Sequence, residues 1–370
     1  MKTQPAYALC VFILAFASLA SCAAPPLPTL PPPTSTATLL PVTPTRRPFG
    51  GRVEKGQITS TALAGNLLGD PATRDYYVYL PQGYDTSTKR YPVVYVLHWF
   101  TGDETQALRS VSSNMDWLID KGKVGDIIFV FPDASNRLGG GQYMSSPTIG
   151  DYETYVSQEL VAKVDSTYRT LANRDSRGIM GCSMGGLGSL HLALKYPGVY
   201  GVAAPMSGLQ LYEPELHAIW EDARSLYREP SDLEDLASLD ITARAVAALA
   251  AVAAPNPSNP PFFFHMPFKM VNGKAETDPQ VLRKVESLGV TNDIRTYVAQ
   301  PVRLNGLLIY IDTEKGADPA SAQAYLERAG SFDRLLSELG LQHEFIVVEA
   351  EHCNYDVTPI LLFMDAHLAF

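Results

Sequence analysis

The sequence predicts an α/β fold: a mostly parallel central sheet flanked by helices, with a helical cap insertion. Three observations carry this prediction. Short apolar runs alternate with helical patterns along most of the chain, which is the pattern that parallel strands joined by crossover helices leave in a sequence. A serine stands in Gly181-Cys182-Ser183-Met184-Gly185-Gly186, between an apolar run and an Ala/Leu-rich helical stretch. A histidine, His352, follows the last apolar run, so the hydroxyl precedes the imidazole in the chain.

Taken in order, the strands are expected at 76–80, 93–98, 127–131, 178–182, 201–206, 307–311 and 344–348, each a short apolar run. Helical patterns fill the gaps at 115–121, 152–171, 187–196, 331–339 and 359–368. One stretch breaks the alternation. Residues 208–305 hold acidic and Ala-rich helical segments at 213–227 and 233–254, then a proline-bounded aromatic run at 261–268. Inserted after the strand that follows the serine turn, this is where a cap would sit. From the aromatic run, Phe264 and His265 are expected in a substrate pocket, together with Trp99 and Tyr143. No internal repeat of solenoid period is present.

Residues 1–21 read as an export signal, with Lys2 ahead of the apolar stretch 7–20, too short to span a bilayer. Leu19-Ala20-Ser21-Cys22 looks like a bacterial lipobox, so Cys22 is expected to be acylated and to anchor the chain at the cell surface. The Pro/Thr-rich segment 22–50 cannot bury a core and reads as a tether. The folded domain is expected over 65–370. Among 370 residues the formal net charge is -10, which argues against nucleic acid as a partner because phosphate would be repelled.

Gly181 to Gly185 is a nucleophile elbow: the glycines let strand and helix backbones approach, and the strained serine lifts its hydroxyl out of the sheet. A serine hydroxyl needs a base within hydrogen-bond reach and a carboxylate to orient that base. His352, in the loop after the last strand, is the expected base. The loop after 307–311 offers Asp312, Glu314 and Asp318. Asp318 ranks first, because the triad acid usually lies beyond the strand end on a turn and Gly316 supplies one. An oxyanion hole needs two backbone amides: Met184 at the helix start, and Trp99 or Phe100 in the loop after 93–98. No HExxH, Walker or Rossmann pattern and no clustered Cys/His pair is present, so neither metal nor cofactor is expected.

With these residues in place, the chain from about Asp75 to the end resembles the putative esterase family, which includes feruloyl and acetyl-xylan esterases, enterochelin esterases, S-formylglutathione hydrolase and mycolyltransferase antigens. The similar passages are 74–84, Tyr91-Pro-Val-Val-Tyr-Val-Leu-His98, 152–160 running to 164–168, and 181–188. The resemblance implies an α/β-hydrolase fold, a Ser-acid-His triad matching Ser183 and His352, and an oxyanion amide on Phe100. Two departures stand out: Trp99 replaces the glycine that usually follows His98, and the acid loop is one residue longer.

The expected function is an exported, membrane-tethered serine esterase acting on carboxylic esters, with feruloyl or acetyl esters of polysaccharides as candidate substrates. Acyl transfer of the mycolyltransferase type shares the same acyl-enzyme, and a non-catalytic surface binding module on a hydrolase scaffold is the third reading. Cys182 precedes the nucleophile and Cys353 follows the base, so contact between Ser183 and His352 brings the two cysteines together. With Cys10 removed and Cys22 acylated, they are an even pair in an oxidising compartment, and a disulfide is expected. The same Cys-Ser and His-Cys adjacency is similar to the tannase and fungal feruloyl esterase family, which the rest of the chain does not resemble.

Overall fold

A computed structural model of the chain describes residues 50–370 apart from Glu314 and Tyr355. The expected signal segment, the expected lipidation at Cys22 and all but the last residue of the expected tether lie outside the described residues.

The strands are β1 (Arg52–Thr59), β2 (Thr73–Leu80), β3 (Val93–Leu97), β4 (Ile128–Pro132), β5 (Ser145–Ser146), β6 (Gly150–Asp151), β7 (Arg177–Cys182), β8 (Val202–Met206), β9 (Phe268–Val271), β10 (Lys274–Thr277), β11 (Gly306–Asp312) and β12 (Glu344–Val348). Eight of them form one sheet in the order β1-β2-β4-β3-β7-β8-β11-β12, parallel from β4 to β12, with β1 and β2 antiparallel at one edge. The pairs β5/β6 and β9/β10 are small hairpins. The helices are α1 (Glu104–Asp120), α2 (Tyr152–Thr154), α3 (Leu160–Thr167), α4 (Met184–Lys195), α5 (Glu213–Leu226), α6 (Leu233–Ala237), α7 (Ile241–Ala253), α8 (Pro279–Ser287), α9 (Val290–Val298), α10 (Pro319–Glu338) and α11 (Thr358–His367). A π-helical segment, Tyr155–Glu159, joins α2 to α3.

The sheet separates two cores, and the period-2 alternation of its strands supplies both. In β3, Val93, Tyr95 and Leu97 face a large core shared with α3, α4, α10 and the insertion, while Val94 and Val96 face a smaller one built on α1 and α11. Parallel strands buried on both faces, as β3, β4, β7 and β8 are, read as continuous apolar runs; all seven expected strands are present, the half-exposed edge strand β12 among them.

The differences lie at sheet edges and helix starts. β1 was not expected: its charges and its alternating exposure give no buried face, and it is held by its full-length pairing with β2. The sheet therefore begins at Arg52 and not near residue 65. α1 starts eleven residues earlier than expected, where the Asp103 carboxylate caps it by accepting from the Gln106 amide at 2.8 Å. The stretch 233–254 is broken into α6 and α7 by Asp240, whose side chain accepts from the Thr242 amide at 2.8 Å. α10 starts at Pro319, twelve residues before the expected 331. Among the described residues no helix is long and apolar enough to cross a membrane.

Candidate active site

The site is assembled at the C-terminal ends of the parallel strands, where open α/β sheets present their loops. β7 ends at Cys182, Ser183 turns the chain with φ 55° and ψ -119°, and α4 begins at Met184. A β-carbon on Gly181 would stand 2.6 Å from the Leu97 carbonyl oxygen, and one on Gly185 2.2 Å from the same atom. Only glycine lets β3, β7 and α4 converge so closely. Met184 is the first residue of α4, so its amide is one of those at a helix N-terminus that have no acceptor within the helix.

The loop after β3 is fixed from below by His98, which is fully buried. Its Nε2 accepts from the Ala134 amide at 3.0 Å, which leaves the proton on Nδ1 to donate to the Trp99 carbonyl at 2.9 Å. Burial lowers its pKa, consistent with this neutral tautomer. The Tyr143 hydroxyl donates to the His98 carbonyl at 3.0 Å, and the Gly102 amide donates to the Trp99 carbonyl at 3.0 Å. The turn that carries the Trp99 and Phe100 amides is thereby held on three sides.

β11 ends at Asp312, which is completely buried. Its Oδ2 accepts from the Ser207 hydroxyl at 2.6 Å and lies 3.4 Å from His352 Nδ1 and 3.5 Å from the Cys353 amide nitrogen. Since Nδ1 faces the carboxylate, Nε2 is the nitrogen left for Ser183. The Cys182–Cys353 disulfide joins the residue before the serine to the residue after the histidine, across 171 positions of sequence. It ties the histidine loop to the elbow. The same cysteines and His352 group within 4.8 Å of one another, but sulfurs joined to each other are not thiolate ligands for a metal.

Ser183 and His352 open into a cleft of about 850 Å³. Trp99 and Phe100 line it at the β3 loop, Glu215, Ile219 and Asp222 come from α5, Ile241 and Ala245 from α7, and Tyr325 and Arg328 from α10. Residues of the insertion, on α5 and α7, supply much of this wall.

Two expectations require correction. Asp318 is not beside His352: it is exposed and caps α10, accepting from the Ala320 and Ser321 amides at 3.1 Å each, and its pKa is lowered first by the Ser321 side chain and then by these amides. Asp-Pro at this position is a helix start, with proline in the first turn, and the carboxylate that meets His352 is Asp312. Of the four expected pocket residues only Trp99 lines the cleft. Tyr143 is buried beneath the β3 loop and covers Gly188, Phe264 is buried against Phe262 in the large core, and the exposed His265 is tied by its amide to Ala254. Aromatic runs bounded by prolines pack cores more readily than they line clefts.

Ser207 was missed altogether. It follows β8 at the same end of the sheet, with φ 47°, and its hydroxyl both donates to Asp312 and accepts from the Asp312 amide at 3.2 Å. The available signal was its place immediately after a parallel strand.

Residues 71–245 match the family model described as putative esterase. An esterase of Mycobacterium tuberculosis is 35% identical over 140 residues, covering 35% of this chain and 28% of that protein. An endo-1,4-beta-xylanase/feruloyl esterase of Xylanibacter ruminicola is 32% identical over 170 residues, covering 44% and 23%. The chain thus spans less than a third of the length of these curated relatives. A solved ferulic acid esterase superposes with a TM-score of 0.53 at 20% identity, covering 87% of this chain and all of that one. S-formylglutathione hydrolase from Staphylococcus aureus superposes with a TM-score of 0.54 at 15% identity, covering 85% and 99%. At these identities the structures show the fold, which is that of the α/β-hydrolases.

Proposed function

We propose that this chain, whose residues 71–245 match the putative esterase family model, is a serine hydrolase of carboxylic esters. One observation carries the reading: the elbow serine and His352 share one cleft, and the histidine turns Nδ1 toward a buried carboxylate. Ser183 Oγ attacks the ester carbonyl while His352 Nε2 takes its proton, and Asp312 holds the Nδ1 proton and stabilises the imidazolium. The oxyanion is received by the Met184 amide and by the amide of Phe100. The imidazolium then returns its proton to the leaving alcohol, and a water deprotonated by the same nitrogen releases the acid and regenerates Ser183. The Ser207 hydroxyl fixes the carboxylate in the direction that His352 needs.

Feruloyl and acetyl esters of polysaccharides are the substrates we favour. The cleft volume suits a ligand larger than a simple acetate ester, and one relative at 32% identity carries feruloyl esterase in its name. We infer further that the protein is exported and held at the cell surface by acylated Cys22. The lipobox-like Leu19-Ala20-Ser21-Cys22 supports this, as does the Cys182–Cys353 bridge, since disulfides persist in oxidising compartments. Replacing Cys22 with Ser should move the protein from the membrane to the soluble fraction.

The activity is tested with p-nitrophenyl acyl esters and methyl hydroxycinnamates, assayed on the protein and on its Ser183→Ala variant. Hydrolysis of at least one series by the protein, abolished in the variant at unchanged Tm, is the expected result. Turnover retained by Ser183→Ala would remove the serine from the mechanism.

A further inference from the structure

The wall of the cleft made by α5 and α10 has a chemistry that the reacting groups do not use. Arg328 of α10 donates its Nε to the Glu215 carboxylate of α5, and both side chains are mostly buried, at 24% and 10% exposed. Both residues line the cleft. Among the described residues Nε is the one nitrogen of this guanidinium that meets an acceptor. The two terminal nitrogens, with four N–H donors between them, remain for a ligand. Asp222 lies seven residues after Glu215, two turns along α5, and lines the same cleft. This wall therefore offers donors from a guanidinium and acceptors from two carboxylates within one cleft.

That mixture selects by charge. An anionic ligand would meet Glu215 and Asp222, and an ammonium would meet Arg328, so either gains at one group what it loses at another. The group that satisfies both kinds at once is a hydroxyl, whose oxygen accepts from the guanidinium while its proton goes to a carboxylate. The remainder of the cleft is different. Trp99 and Phe100, on the oxyanion loop, and Ile219, Ile241 and Ala245 give an apolar surface suited to an acyl chain or ring.

We propose that Arg328, held in place by Glu215, is a specificity-determining residue that binds the hydroxyls of an uncharged polyol or sugar forming the alcohol part of the ester. The proposal rests on ester hydrolysis at Ser183. The ion pair holds the guanidinium at the wall before the substrate arrives, so less side-chain freedom is lost on binding. Lysine can keep the pair with Glu215 but loses the planar fork that reaches two oxygens.

The test compares two acetate esters, so that the acyl group is constant: p-nitrophenyl acetate and mono-acetylated xylobiose, a neutral sugar. Steady-state kinetics are measured on the full chain, Arg328→Met and Arg328→Lys. In Arg328→Met the ratio of kcat/KM for the sugar ester to that for the phenyl ester should fall about tenfold, through KM, the loss expected for hydrogen bonds to a charged donor. Arg328→Lys should fall between the two. A ratio unchanged in both variants, or a loss confined to kcat, overturns the proposal. So does a wild-type enzyme that hydrolyses p-nitrophenyl acetate but not the sugar ester. Inactivity toward both esters overturns the hydrolase reading and the proposal with it.

Discussion

Replacing Asp312 with asparagine removes the charge that faces His352 and little else in shape. The carboxylate oxygen lies 3.4 Å from Nδ1, where an imidazolium–carboxylate attraction is about 5 kcal/mol at an effective dielectric of ~20. The His352 side chain is 43% exposed, and solvent screening removes roughly half of that, leaving ~2–3 kcal/mol, or on the order of 10²-fold in kcat. A second loss adds to the first. If the amide nitrogen of the introduced asparagine turns toward the histidine, it asks Nδ1 to accept, which moves the proton to Nε2, where the serine must deliver its own. A misplaced tautomer costs on the order of 10⁴-fold in other triads. The expected fall in kcat is therefore between roughly 10² and 10⁴, with KM little changed. The parallel control is Asp318→Asn, which should leave kcat within about threefold, because asparagine caps a helix as well as aspartate does. The assay is steady-state hydrolysis of a p-nitrophenyl ester, with thermal unfolding to confirm that both variants fold. A crippled Asp318→Asn, or an Asp312→Asn enzyme keeping more than about a tenth of its activity, would refute the reasoning.

Three further outcomes follow from the same geometry. Complete reduction of Cys182–Cys353, followed by alkylation, should lower both Tm and kcat, since chain entropy alone assigns a loop of this length on the order of 4–5 kcal/mol; intact mass with scanning calorimetry reads it, and an unchanged Tm counts against it. Gly185→Ala forces a β-carbon to within 2.2 Å of the Leu97 carbonyl oxygen, so activity should be lost and Tm should drop by several degrees on circular dichroism; an active, equally stable variant would show that the elbow can relax. Burial opposes the charge on His191, yet its hydrogen bonds to Asp293 at 2.6 Å and Glu153 at 3.0 Å outweigh it and raise its pKa to about 9. Burial likewise opposes the charge on Glu153, but bonds from His191 and Lys195 bring its pKa down to about 2. The sign follows from the direction of each shift: the His191 contribution is complete below the unfolded value of about 6.5 and is lost as pH rises through about 9. That of Glu153 is present above about 4.5 and is lost as pH falls through about 2. Between about pH 7 and 10 the Tm of the wild type should therefore decline, and His191→Gln should flatten that decline while losing about 3–5 kcal/mol at neutral pH; parallel Tm profiles for the two proteins would show that the cluster does not titrate as described.

The parts of this fold that were legible in the sequence are its apolar runs, most of them buried in the sheet, and the turn strained by function. Each parallel strand is a continuous apolar run, and the elbow announces itself because two backbones meet at Gly181 and Gly185. β1 carries no such mark: it is an edge strand, with the Tyr76 ring covering Gly56 so closely that a β-carbon there would stand 2.3 Å from it. Ranking Asp318 above Asp312 rests on the turn at Gly316, which lies past the strand end, and Asp318-Pro319 does not read as a helix start when α10 is placed at residue 331. The strand-end rule alone favours both Asp312 and Ser207. The cleft had no sequence signal of its own, because it exists where α5, α7 and α10 carry small residues, Ala218, Ala245 and Ala324, and a missing side chain has no pattern.

Ester hydrolysis at this site requires Ser183 to be an activated nucleophile in the folded protein. A fluorophosphonate probe reports this directly, by intact mass and peptide mapping of the protein after a short incubation. One probe per chain on Ser183, absent from Ser183→Ala and strongly slowed in Asp312→Asn, is the expected result. Folded protein that hydrolyses esters while Ser183 stays unlabelled, or that takes the probe on another residue, would contradict it.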